Sequence, residues 1–172
     1  TKVQQNIVLK AQEIKKGEKV FEKGEIVKEN MVATLASFGY EFVEVAKRPK
    51  VKILATGSEI VDISEKPLQD QIRNSNSTML RAFVKNVADV EVLPLVKDDL
   101  QNLKRTIADS TENCDCLIIS GGVSVGDYDF TKPALHEIGA EIFFEKVALK
   151  PGKPTVFAKL NDTFIFGLPG NP

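Results

Sequence analysis

The sequence predicts an α/β fold with a mostly parallel sheet covered on both faces, preceded by a small α+β segment. Three observations carry this. From Val51 onward, short apolar runs alternate with segments whose apolar residues recur at helical spacing. The runs at 51–55 and 116–120 are apolar almost throughout, as strands buried on both faces are. Conspicuous loops rich in Gly, Ser and Asp follow several of these runs, where α/β sheets place their ligand sites.

The earlier stretch reads differently. Lys15-Lys16-Gly17-Glu18 and Glu22-Lys23-Gly24-Glu25 carry two Lys-Gly-Glu turns seven residues apart, with Val20, Phe21, Ile26 and Val27 as strand material. Residues 28–38 have Met31, Val32, Leu35 and Phe38 on one helical face, and Gly39 closes the helix. Phe42, Val43 and Val45 suggest a strand over 41–46. Arg48-Pro49 ends it and marks a boundary between a segment at 1–48 and a domain at 49–172.

In the second part, strands are expected at 51–55, 90–96, 116–120, 141–148, 155–159 and 163–166. Helices are expected at 77–86, 99–110 and 131–138. Pro67 and Asn74 fall in a polar loop between the first strand and the first of these helices. Gly139 closes the last helix.

Composition narrows the classes of function. A length of 172 residues suits one ordinary domain plus a small second piece. With 42% hydrophobic and 27% charged residues, there is enough apolar material for a core. Lys plus Arg is 23 and Asp plus Glu is 24, a net charge of −1, so no nucleic-acid partner is expected. No run approaches the ~20 apolar residues of a membrane helix, so no membrane partner is expected either. Thr1 to Gln5 show no apolar signal region and no initiator Met, which suggests a start inside a longer protein. Cys114 and Cys116 are too close to pair with each other. They read as reduced thiols packed at the start of a strand in a cytoplasmic protein. With His136 as the single histidine, a zinc site lacks ligands.

The loops after the strands carry the chemistry. Ser120-Gly-Gly-Val-Ser-Val-Gly-Asp-Tyr-Asp129 offers backbone N–H groups and hydroxyls to an anion, with a helix start beside it. Asp127 and Asp129 next to such an anion suit a bridging Mg²⁺. Asp129 also fits as a cap for the helix at Thr131. Glu59, in Thr56-Gly57-Ser58-Glu59, and Asp98 and Asp99, after the second strand, could join the metal. Either aspartate could instead cap the following helix. Lys146, Lys150 and Lys153, the last two in Lys-Pro-Gly-Lys-Pro154, would suit an oxyanion, or would simply decorate a solvated turn. Acids at three successive strand ends with lysines nearby favour a metal-assisted phosphate site. Walker A and G-x-G-x-x-G loops are both absent from the sequence.

Taken in order, Thr56-Gly-Ser-Glu59, Asn74-Ser-Asn76, Lys97-Asp-Asp99, Ser120-Gly-Gly-Val-Ser-Val-Gly-Asp-Tyr-Asp129, Lys150-Pro-Gly-Lys-Pro154 and Gly167-Leu-Pro-Gly-Asn-Pro172 strongly resemble the molybdopterin molybdenumtransferases, bacterial counterparts of the gephyrin E domain. The likeness runs over essentially the whole chain. It implies a three-layer αβα molybdopterin-binding domain at 49–172, truncated at its C-terminal end. Residues 1–48 would then be the C-terminal part of a β-rich N-terminal domain. The implied reaction inserts molybdenum from molybdate into adenylylated molybdopterin, with Mg²⁺, and releases AMP. Implied catalytic residues are Asp129, Glu59, Asp98, Lys146 and Lys150, with Asp129 and Glu59 on the metal. Implied substrate-binding residues are Thr56, Gly57, Ser120, Gly121, Gly122, Ser124, Gly126, Lys153, Pro154, Pro169 and Pro172. A homodimer and contacts with other proteins of the cofactor pathway are also implied. Two alternatives remain at this level. One is an adenylyltransferase of the same fold, although such enzymes carry Thr-Gly-Gly-x-Gly where this chain has Ser120-Gly-Gly-Val-Ser. The other is a non-catalytic scaffold or binding module.

Overall fold

The computed structural model describes residues 7–123 and 129–170, and the chain divides into two units, residues 1–46 and 47–172.

In the first unit the helix α1 spans Glu29–Ser37. Glu29 in its first turn complements the positive end of the helix. Its far end closes with Gly39 N–H on Ala36 O and Tyr40 N–H on Leu35 O, both at 3.0 Å, the double bond of a Schellman motif. The strands expected at 14–27 and 41–46 are not formed among the described residues. The two Lys-Gly-Glu turns exist, with Gly17 and Gly24 at positive φ. Val20, Ile26 and Val27 beside them stay exposed, and so do Phe42 and Val45. Strand-forming residues need a neighbouring ladder, and this unit offers none.

In the second unit the strands are β1 (Lys50–Ala55), β2 (Ile60–Val61), β3 (Ile72–Arg73), β4 (Asp89–Val92), β5 (Cys116–Ser120), β6 (Glu141–Phe144), β7 (Val156–Leu160) and β8 (Thr163–Leu168). The helices are α2 (Ser75–Val84), α3 (Leu100–Ser110) and α4 (Thr131–Glu137). Six strands form one sheet in the order β4-β1-β5-β8-β7-β6. Neighbours run parallel from β4 to β8, and β7 is antiparallel to both β8 and β6. The expected fold class is the observed one.

The chain leaves β1 for β4 on one side and returns to β5 on the other. Right-handed crossovers in opposite directions put their helices on opposite faces. Accordingly α2 packs over β1 and β4, while α3 lies beside α4. The core on the α3/α4 side includes Leu54, Leu103, Ile107, Leu117, Ile119 and Ile165, all essentially without solvent contact. The strands expected at 90–96 and 141–148 are shorter than read, with strand pairing ending at Val92 and Phe144. Leu93 N–H still bonds Ile53 O, but Pro94 lacks an N–H to continue the ladder.

The reversal between β1 and β5 opens a crevice at their C-terminal ends, the usual ligand position in such sheets. The pair β2–β3 was read as loop. Its two-residue strands are too short to show a period, yet the ladder Ile60↔Ile72 and Val61↔Arg73 borders that crevice.

Candidate functional site

The residues that build the site begin at the end of β1. Thr56 N–H donates to Ser120 O at 2.9 Å, and Gly57 N–H to Val96 O at 3.2 Å. One turn of chain is thus tied to the ends of both neighbouring strands. After β5, Gly121 has φ +108° and Gly122 φ +62°. Only glycine adopts this pair without cost. A Cβ on Gly121 would stand 2.3 Å from Thr56 O, and one on Gly122 would stand 2.7 Å from Thr131 Oγ1. The fully buried Thr131 closes the loop, its N–H bonding Gly122 O and its hydroxyl bonding Gly121 O. Val123, equally buried, fits against Gly167 of β8, where a Cβ would come within 2.8 Å of Val123 Cγ1.

The helix α2 brings a third wall. Asn74 caps it by accepting the Ser77 N–H at 3.1 Å. The amide of Asn76 then donates to Ser120 Oγ at 3.0 Å and to Gly170 O at 2.8 Å. The amide therefore joins the helix start to the loops after β5 and β8. The sequence pattern carried Asn76 only as part of Asn74-Ser-Asn76, with no role attached.

These walls enclose a cavity of about 550 Å³. Thr56, Gly57, Glu59, Asp98, Ser120, Gly121, Gly122 and Asp129 line it, so these expected site residues share one crevice. Asp98 is held by Ser58, and the helix cap at α3 is Asp99, which accepts the Asn102 N–H at 2.6 Å. Asp129 is not the cap of α4: that position is Phe130, without a side-chain bond. Among the described residues, no three or more of His, Cys, Asp and Glu converge to hold a metal ion.

The lysines lie elsewhere on the same rim. Lys146, Lys150 and Lys153 are exposed and do not line this cavity. Their turn joins β6 to β7, on the far side of β8 from β5. The turn is shaped by Val147 N–H on Lys153 O and by the Thr155 hydroxyl on Gly152 O. Pro151, Gly152 and Thr155 instead line a second, more apolar cavity of about 220 Å³ with Met79, Leu80 and Pro169. Asn76 and Ser120 line both cavities and form the wall between them. Pro154 lines neither. Ser124, Gly126 and Pro172 lie outside the described residues.

One cation does line the large cavity, and it was not foreseen. Arg73, from β3, lines it together with the carboxylates. No motif in the sequence marks it.

The thiols sit at the other end of β5. Cys114 Sγ lies 3.0 Å from Cys116 O, and burial pushes the Cys116 thiol up to about 11, with the neighbouring Cys114 and Asp115 adding to the shift. Neither thiol is placed to act in the cavity. His136 is exposed on α4, 3.0 Å from Glu145.

Residues 52–172 match the family described as "Probable molybdopterin binding domain". A molybdopterin molybdenumtransferase from Staphylococcus aureus (strain COL) is 39% identical over 169 residues, which is 98% of this chain and 40% of that protein. The chain thus spans well under half the length of the curated relatives it matches. A molybdopterin biosynthesis moeA protein from Pyrococcus horikosii superposes with a TM-score of 0.77 at 30% identity, over 88% of this chain and 37% of the other. A tungsten cofactor synthesizing protein MoaB from Pyrococcus furiosus shares the fold, with a TM-score of 0.52 at 11% identity, over 74% of this chain and 85% of the other. The family match covers the sheet from β1 to β8 and every described wall of the crevice, and the chain belongs to the molybdopterin-binding domain family.

Proposed function

We propose that this chain is the ligand-binding part of a molybdopterin molybdenumtransferase, which inserts molybdenum from molybdate into adenylylated molybdopterin and releases AMP. The observation that carries the reading is the crevice itself. A glycine turn, a helix start and three carboxylates line one crevice at the β1/β5 reversal. The relatives that match along nearly the whole chain bear that enzyme's name.

The donor chemistry fits Mg²⁺. Glu59 and Asp129 are hard oxygen ligands in one cavity, and Mg²⁺ commonly takes only one or two protein carboxylates, with water and phosphate completing its shell. The lack of a three-carboxylate cage is therefore no obstacle. When bound, the metal would offset charge on the phosphate as AMP departs. The protein's own residues would position the substrate. The Gly121–Gly122 backbone lets the phosphate approach closely, with Thr56, Gly57 and Ser120 around it. Asp98 keeps the loops in register. Lys146, Lys150 and Lys153, on the neighbouring rim with Pro154 and Pro169, would raise the local concentration of molybdate, a dianion. Ser124, Gly126 and Pro172 complete the carried-over set. The sulfurs that take the metal belong to the substrate, so no protein nucleophile is required. In this reading residues 49–172 are the molybdopterin-binding domain, residues 1–48 end a preceding domain, and the enzyme is a cytoplasmic homodimer. Among the described residues, no helix is long and apolar enough to cross a membrane.

The test is calorimetric titration with AMP and with molybdate, each with and without Mg²⁺. The reading expects AMP binding that strengthens with Mg²⁺ and loses that dependence in Asp129→Ala. A chain that binds neither ligand, or is indifferent to Asp129→Ala, would instead be a scaffold module.

A further inference from the structure

We propose that Arg73 is the residue by which the large cavity recognises a phosphate monoester, and so distinguishes a nucleotide from its nucleoside. This rests on the ligand-binding reading above and names the group that reads the phosphate.

The charge of the cavity poses the problem. Glu59, Asp98 and Asp129 line it, and Arg73 is the one Lys or Arg among its described lining residues. The lysines of the 146–153 segment stand outside that lining. A phosphate entering here meets mainly carboxylates. It needs a cation on the wall as well as any metal ion.

The local structure prepares Arg73 for this task. Its backbone is fixed in the β2–β3 ladder opposite Val61, with Ile72 N–H on Glu59 O and Asn74 N–H on Val61 O, both at 2.9 Å. The segment bearing Arg73 is therefore bonded directly to the segment bearing Glu59. The exposed guanidinium is tethered as well. Its Nε donates to Glu65 O at 3.0 Å. That carbonyl is presented by a turn in which Asp62 Oδ1 accepts from both the Ser64 N–H and the Ser64 hydroxyl. These two bonds, the hydroxyl first, hold the Asp62 carboxyl below its ordinary range. Among the described residues, no carboxylate forms an ion pair with Arg73. One N–H of the fork is spent on orientation, and the terminal nitrogens remain for a ligand. A planar fork tethered at one corner matches two phosphate oxygens, and the tether lowers the side-chain entropy lost on binding.

The experiment is titration of the chain with AMP and with adenosine, Mg²⁺ being present throughout. Arg73→Ala should weaken AMP about tenfold to a hundredfold, the range for a charge-assisted bond, and leave adenosine unchanged. Arg73→Gln keeps an N–H donor for Glu65 O but no charge, and should resemble Arg73→Ala. Arg73→Lys should recover part of the loss. Arg105→Ala, on α3, is the control and should behave as the unmodified chain. If AMP affinity survives Arg73→Ala, or Arg73→Gln restores it, the assignment is overturned while the ligand-binding reading stands. If AMP and adenosine weaken together, Arg73 is merely structural and the assignment is again overturned. If the unmodified chain binds no AMP, the ligand-binding reading falls and takes the assignment with it.

Discussion

Ser58 and Asp98 hold each other across two strand ends: the Ser58 N–H donates to Asp98 Oδ2 at 2.8 Å, and the Asp98 N–H donates to Ser58 Oγ at 3.2 Å. The pair ties the loop after β1 to the loop after β4. Asp98 also lines the cavity. Ser58→Ala and Asp98→Ala should each destabilise modestly, and a double-mutant cycle should give a coupling of about 0.5–1.5 kcal/mol. Urea unfolding measures this, and strictly additive effects would show that the pair contributes nothing.

The close approach of Gly121 to Thr56 makes a sharper prediction. Gly121→Ala places a methyl 2.3 Å from a backbone carbonyl that is itself held between strands, at a φ of +108°. The backbone cannot yield without breaking the Thr56 N–H bond to Ser120. A loss of more than about 2 kcal/mol in thermal or urea unfolding is expected, with loss of AMP binding. A neutral Gly121→Ala would contradict the described turn.

Thr163 is buried at the opposite end of the sheet, and its hydroxyl lies within bonding distance of Thr111 O, at 3.0 Å, and Cys114 O, at 2.6 Å. Thr163→Val preserves shape and deletes the donor. It should cost about 1–3 kcal/mol, since buried carbonyls lose their partner, and it should leave ligand binding intact. Chemical denaturation read alongside AMP titration separates the two effects.

Cys116 predicts an alkaline effect. Its thiol ionises near 9 when unperturbed and at about 11 in the fold, chiefly through burial. Between these values the unfolded chain has lost a proton that the folded chain retains. Stability should therefore be unaffected below pH 9 and fall as pH rises from 9 towards 11. Cys116→Ala should flatten that slope in pH-dependent unfolding. Alkylation of Cys116 in the folded chain should be slow at neutral pH.

Much of the fold was legible. Apolar runs at 51–55 and 116–120 announced buried strands because a strand covered on both faces has no polar face to show. Asp99 and Gly139 marked helix ends through local chemistry that needs no distant partner. The strands expected before residue 47 failed for the opposite reason. Val20, Ile26 and Phe42 have the propensity, but a strand exists only with a neighbour, and propensity does not supply one.

For the site, the sequence alone determined which chemical groups stand at strand ends, because order along the chain and period decide where strands stop. Glu59, Asp98, Ser120, Gly121, Gly122 and Asp129 were all found this way, and they share one cavity. Tertiary structure alone decided which cation joins them. Lys150 and Lys153 were grouped with the glycine loop because clustered cations suit an oxyanion. The sheet order puts β8 between their turn and β5, and neither lysine lines the large cavity. Arg73 lay in a stretch with no pattern to read, since two residues per strand cannot show a period. Strand pairing and a single carbonyl bond bring it to the cavity. Local residue chemistry can be read in one dimension, whereas the pairing that brings charges together is a property of the folded sheet.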